Sequence, residues 1–141
     1  MVVSSDQIRV LHVEDELDLA EIVMTYLERG SERLAVETAT SAQEGLSKLR
    51  DGGYDCIVSD YDMPGQNGIE FLKTVREGHP DLPFIMYTGK GNERIASEAI
   101  SAGVTDYFQK RTGTEQFTIL GNRIENAVQE YRADRAAETT E

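Results

Sequence analysis

Asp55-Cys56-Ile57-Val58-Ser59-Asp60-Tyr61-Asp62-Met63-Pro64-Gly65 reads as a short apolar strand that runs straight into acids and turn formers. The run Cys56-Ile57-Val58 does not alternate between apolar and polar residues, and neither does Phe84-Ile85-Met86 further on. Strands of that kind are covered on both faces, as in a parallel sheet packed between helices. Working outward, three more β-rich runs appear, at Ile8 to Val13, Leu34 to Ala39 and Thr105 to Phe108, while the two central ones span Asp55 to Ser59 and Pro83 to Tyr87.

Helical spacing fills the gaps. Leu19, Ile22, Val23, Tyr26 and Leu27 form one stripe, ended near Gly30. Ser41 and Glu44 read as a capping box before Ala42, Leu46 and Leu49. Ile69, Leu72 and Val75 mark a third helix, stopped at Gly78 and Pro80, and Asn92 to Ala102 a fourth with Ile95, Ala96, Ala99 and Ile100 on one face. Thr112 and Glu115 read as another capping box before Phe117, Leu120, Ile124, Ala127 and Tyr131. Five strand–helix units with short connections predict a parallel sheet sandwiched by helices, an α/β fold. Residues 1–7 form a polar tail, 8–131 the domain, and 132–141 either a frayed tail or the start of a linker helix.

Composition limits what such a domain does. The 141 residues suit one domain, and 39% hydrophobic with 28% charged residues is a globular balance. No apolar run approaches the ~20 residues of a membrane span, and Met1 to Arg9 lack the pattern of a secretory signal. Cys56 is the only cysteine, which excludes a disulfide framework and suits a reducing cytoplasm. The formal net charge of −12 argues against nucleic acid as a direct partner. That acidic surface fits a salt-loving source and an ordinary acidic bacterial protein equally.

Ligands of open parallel sheets bind outside the carboxyl ends of the strands. Glu14 and Asp15 end the first strand, Asp60 the third with Asp62 two residues on, Thr88 the fourth and Lys110 the fifth. Carboxylates ~4 Å apart repel by about 4 kcal/mol at an effective dielectric near 20. A hard divalent cation removes that repulsion, and oxygen-only ligands with room for water suit Mg²⁺, with Mn²⁺ as a substitute. His12 lies inside a strand and His79 in a turn, so zinc is disfavoured. Singly, Asp15 could be a helix cap, the Asp60 to Gly65 segment a plain turn and Lys110 a solvated charge. Together, at four strand ends, they indicate a site.

In motif order and spacing the chain from Ile8 to Tyr131 resembles the response-regulator receivers of two-component signalling. That family has an acidic pair after the first strand, Asp after the third, Ser or Thr after the fourth and Lys after the fifth. Here Glu14-Asp15, Asp60, Thr88 and Lys110 stand at those places. Asp60-Tyr61-Asp62-Met63-Pro64-Gly65 with Asn67-Gly68, and Ala102-Gly103-Val104-Thr105-Asp106-Tyr107, resemble its flanking stretches.

The resemblance implies a flavodoxin-like, doubly wound five-stranded sheet of order 2-1-3-4-5 with five helices. It implies Asp60 as phosphoacceptor, taking a phosphoryl group from a histidine kinase or phosphotransfer protein. Mg²⁺ would be held by Asp15, Asp60 and the backbone carbonyl of Asp62, with Glu14 acting through water. Lys110 and Thr88 would bind the phosphoryl oxygens. Thr88 and Tyr107 would form the switch, read by a partner on the face of the fourth helix, fifth strand and fifth helix. Such a protein catalyses only its own phosphorylation and dephosphorylation. Apart from the resemblance, Asp62 two residues after Asp60 and Lys90 two after Thr88 are expected from spacing to flank the mouth of the site and pair as a partial lid, loosened by Gly89 and Gly91. Arg111 stands where the family often has Pro, so a trans peptide is expected there.

Rival readings fail on particular residues. A flavin phosphate would be repelled by Glu14-Asp15-Glu16, and too little chain follows Asp62 for a haloacid-dehalogenase-like phosphatase. Gly89-Lys90 lacks P-loop spacing, and an EF-hand from Asp60 would need Glu where Phe71 stands.

Overall fold

The computed structural model describes residues 6–89 and 91–139. Five strands, β1 (Ile8–Val13), β2 (Leu34–Ala39), β3 (Cys56–Ser59), β4 (Phe84–Thr88) and β5 (Asp106–Gln109), form one sheet in the order β2-β1-β3-β4-β5. Every neighbouring pair is parallel, with Val13 opposite Ser59 and Met86 opposite Tyr107. The strand boundaries match the apolar runs to within a residue. The fold is the doubly wound, flavodoxin-like one expected.

Helices α1 (Leu17–Gly30) and α5 (Glu115–Thr139) cover one face, where Val23, Leu27, Phe117, Leu120, Ile124 and Val128 pack on Ile8, Val10, Val58 and Ile85. Helices α2 (Ala42–Asp51), α3 (Gly68–Gly78) and α4 (Glu93–Ser101) cover the other, over Leu11, Val13, Ile57, Phe84 and Met86. β3 and β4 are buried at every residue, which is why their sequences show no alternation.

The helix starts differ in detail from their sequence signals. The Ser41 hydroxyl accepts from Glu44 N–H, but the Glu44 carboxylate accepts from Thr40 N–H and hydroxyl instead of from Ser41. The full capping box is at α3, where Asn67 and Glu70 satisfy each other's amides. No cap is formed by the pair Thr112 and Glu115; the turn before α5 is built on Gln116. Asp15 does not cap α1, whose N-cap position is Glu16. Ile22, Tyr26 and Ile100, read as stripe residues, are exposed, because the buried arcs of these short helices are Ala20-Val23-Leu27 and Ile95-Ala99. In α5 Val128 is buried where Ala127 and Tyr131 were expected.

The segment from Arg132 continues α5 as far as Thr139, and residues 140–141 lie outside the described residues. Of the N-terminal tail, residues 1–5 also lie outside them. The carbonyls of Asp6 and Gln7 accept from Arg33 and Arg132. No described helix is long and apolar enough to cross a membrane.

Candidate functional site

Ladder hydrogen bonds continue one step past the strands and set the site. Glu14 N–H donates to Ala39 O at 2.9 Å, Asp60 N–H to Val13 O at 3.1 Å, and Lys110 N–H to Thr88 O at 2.9 Å. The register that pairs Val13 with Ser59 therefore brings Glu14 beside Asp60. β1, β3, β4 and β5 are successive neighbours, so their carboxyl ends form one continuous rim.

The rim is charged and largely closed to water. Glu14 and Asp60 are 1% and 7% exposed, and Thr88 is fully buried. One carboxylate oxygen each of Glu14, Asp15 and Asp60 lie within 4.8 Å of one another, with Asp15 the most accessible of the three. Lys110 Nζ donates to Glu14 Oε1 at 2.9 Å and to Asp60 Oδ2 at 3.4 Å. Its other flank is the Tyr87 ring, 5.6 Å from Nζ. Burial pushes the Glu14 carboxyl up from its ordinary range, and the Lys110 ammonium partly opposes this. The three carboxylates supply a hard oxygen donor set of the kind that holds a divalent cation.

Asp60 is oriented by its neighbours. Tyr61 N–H donates to Oδ1 at 2.7 Å, leaving Oδ2 on the Lys110 side. Its carbonyl accepts from the Ser59 hydroxyl at 2.9 Å. Gly68 opens α3 hard against this turn: a Cβ there would collide with the Asp60 carbonyl oxygen and come within 2.8 Å of Tyr61 Cα. Gly68 N–H donates to Tyr61 O at 2.8 Å, closing the loop.

Residues 10–120 match the response regulator receiver domain family. The chain belongs to that family. This receiver is 35% identical over 106 residues to the transcriptional regulatory protein ResD of Bacillus subtilis, covering 75% of this chain and 43% of that protein. It is 32% identical over 122 residues to the response regulator SaeR of Staphylococcus aureus, covering 86% and 52%. The chain thus spans about half the length of these curated relatives. Among solved structures, a CheY-like receiver domain protein from Methanospirillum hungatei superposes with a TM-score of 0.81 at 25% identity, covering 91% of this chain and 98% of that one. NtrX from Brucella abortus gives 0.78 at 26%, with 92% of this chain but 29% of that one.

Glu14, Asp15, Asp60 and Lys110 lie together at the rim, where the Thr88 carbonyl accepts from Lys110 N–H. Asp62 is exposed, two residues past Asp60. Lys90, paired with it in the sequence reading, lies outside the described residues. Tyr107 shares a core cluster with Met86, its partner across the β4–β5 pair. Thr88, two residues beyond Met86, emerges on that same face. The Tyr107 hydroxyl is buried with no hydrogen-bond partner among the described residues, and a Cβ on Gly91 would fall on it.

Other contributors escaped the sequence reading. Gln116 is buried and holds the loop after Lys110. Its one signal was a polar residue at a core-facing helical position. His12, 1% exposed one residue before the end of β1, leaves Nδ1 without a partner among the described residues. Burial lowers its pKa to about 3, and the Lys110 charge adds to the effect.

Proposed function

We propose that this receiver accepts a phosphoryl group on Asp60 from a histidine kinase or phosphotransfer protein and signals through the face of α4, β5 and α5. One observation carries the reading. The Asp60 carboxylate closes a buried strand with one oxygen fixed by Tyr61 N–H, beside two further carboxylates and the Lys110 ammonium.

An Asp60 oxygen attacks phosphorus, and the bond from phosphorus to its donor breaks, either P–N of phosphohistidine or P–O of a small acyl phosphate. The donor leaves as imidazole or carboxylate. Glu14, Asp15 and Asp60, with the carbonyl of Asp62, would hold Mg²⁺, or Mn²⁺ in its place, with Glu14 as the more distant donor. Bound there, the cation neutralises charge on the transferring oxygens. Lys110, already beside Asp60 Oδ2, binds the same group, and Thr88 donates to a phosphoryl oxygen. Movement of Thr88 toward that group changes the space behind it, which Tyr107 shares from the same face of the sheet. The α4–β5–α5 surface then changes shape for its partner. The chain catalyses its own phosphorylation and dephosphorylation and no other reaction. Its working compartment on this reading is the cytoplasm, and no step calls for nucleic acid to touch this domain.

The test is labelling with acetyl phosphate and Mg²⁺, followed by intact-protein mass spectrometry. Wild type gains one acid-stable, hydroxylamine-labile phosphoryl group; Asp60→Asn gains none. Equal labelling of the two would remove Asp60 from its role.

A further inference from the structure

Lys110 must be held in place although it stands at the start of an exposed loop, where Arg111 to Glu115 are all open to solvent. On its N-terminal side the loop is fixed by Lys110 N–H on Thr88 O. On the other side, one buried carboxamide does the holding. Gln116 Oε1 accepts from Arg111 N–H at 3.0 Å, and its Nε2 donates to Arg111 O and, at 2.7 Å, to Gly113 O. The same Oε1 accepts from the Tyr87 hydroxyl. Both amide ends are thus satisfied, and a flipped carboxamide would set its NH₂ against Arg111 N–H and its oxygen against two carbonyls.

Tyr87 is itself packed in the core. It lies in β4 at 2% exposure, and its ring stacks on Phe108 with centroids 5.5 Å apart. Its ring face sits 5.6 Å from Lys110 Nζ while its hydroxyl holds Gln116. One core tyrosine therefore touches the ammonium and, through Gln116, the peptide group just after it. The arrangement needs an N–H at position 111, a donor that proline would lack.

We infer that Gln116, anchored by Tyr87, is a positioning residue that sets the Lys110 ammonium against Glu14 and Asp60. The inference rests on the phosphoacceptor reading for its kinetic consequence but not for its structural one. Gln116→Met keeps the volume and removes all four hydrogen bonds. Tyr87→Phe removes only the anchoring hydroxyl and serves if the first variant folds poorly.

Two double-mutant cycles with Lys110→Ala decide the matter. In metal-free protein, Gln116→Met lowers the melting temperature, and lowers it less once Lys110 is already Ala, because part of its effect is loss of the Lys110–Glu14 pair. In acetyl phosphate labelling, Gln116→Met slows the rate toward that of Lys110→Ala, and adds no further slowing in that background. Mg²⁺ affinity, read by calorimetry, rises in Gln116→Met toward that of Lys110→Ala, because a well-placed ammonium competes with the cation for Glu14 and Asp60. Strictly additive melting effects would overturn the inference, as would wild-type labelling by Gln116→Met. Coupled melting effects in a protein that takes no label would leave the positioning role standing and remove the phosphoacceptor reading instead.

Discussion

The ammonium of Lys110 donates to Glu14 Oε1 at 2.9 Å, joining the last strand end of the sheet to a carboxylate that is 1% exposed. Buried carboxylates lose hydration that only a close cation restores, and removing one partner of such a pair costs about 3 kcal/mol or more. Lys110→Met is therefore expected to lower the urea midpoint of metal-free protein substantially. Adding Glu14→Gln to it should recover most of the loss, since no unpaired charge then remains. Two independent, additive losses would show that the pair contributes little.

Cation binding follows from the same crowding. Glu14, Asp15 and Asp60 share 4.8 Å of space and offer oxygen alone. Mg²⁺ should raise the melting temperature at low ionic strength, by linkage equivalent to about 2.7 kcal/mol at a hundred times Kd. Asp15→Ala should abolish most of that gain while raising the metal-free melting temperature, because one of the mutually repelling charges is gone. A wild-type melting curve unmoved by millimolar Mg²⁺ would remove the cation from the site.

Gly91 and Tyr107 bear on the signalling face. A Cβ at residue 91 would overlap the Tyr107 hydroxyl and sit 3.2 Å from Cζ. Burial raises the Tyr107 pKa. In Gly91→Ala the ring should therefore swing outward, and its phenol should ionise at lower pH than in wild type. Fluorine NMR of 3-fluorotyrosine-labelled protein, assigned by Tyr107→Phe, reads both changes. A Tyr107 resonance with unchanged solvent shift and titration would mean that the loop yields instead of the ring.

His12 gives the fold a sensitivity to acid. Its folded pKa of about 3 lies below the ordinary value of 6.5, so below pH 6.5 the unfolded chain takes up a proton that the folded one refuses. The stability it allows is complete above pH 6.5 and falls as the pH drops toward 3, by up to ~1.4 kcal/mol per pH unit. His12→Leu also removes the unpartnered Nδ1. It should be no less stable than wild type at pH 7.5 and should lose less stability between pH 6 and pH 4. Parallel stability–pH curves for the two proteins would show that His12 is not the source.

The local sequence determined the elements and their order. Unbroken apolar runs could only be strands covered on both sides, and acids placed directly after them could only lie at the carboxyl rim of a parallel sheet. Asp60, Glu14, Asp15 and Lys110 were legible for that reason, since strand direction alone sends them to one edge. Tertiary structure decided what no local pattern encodes. The exposure of Ile22 and Ile100 depends on how each short helix is rotated against the sheet, which a stripe a few residues long leaves open. Gly68 is required because the Asp60 carbonyl comes against it, while Gly91 leaves the room in which the Tyr107 hydroxyl lies. Gln116 shows in sequence only as a polar residue on the core-facing stripe of a helix. Only the approach of Tyr87, 29 residues away in the chain, and of the Arg111 peptide turns its carboxamide into the clasp of the Lys110 loop. Hydrogen-bond partners across that separation are set by packing, because each group's alternative partner is water until the core closes around it.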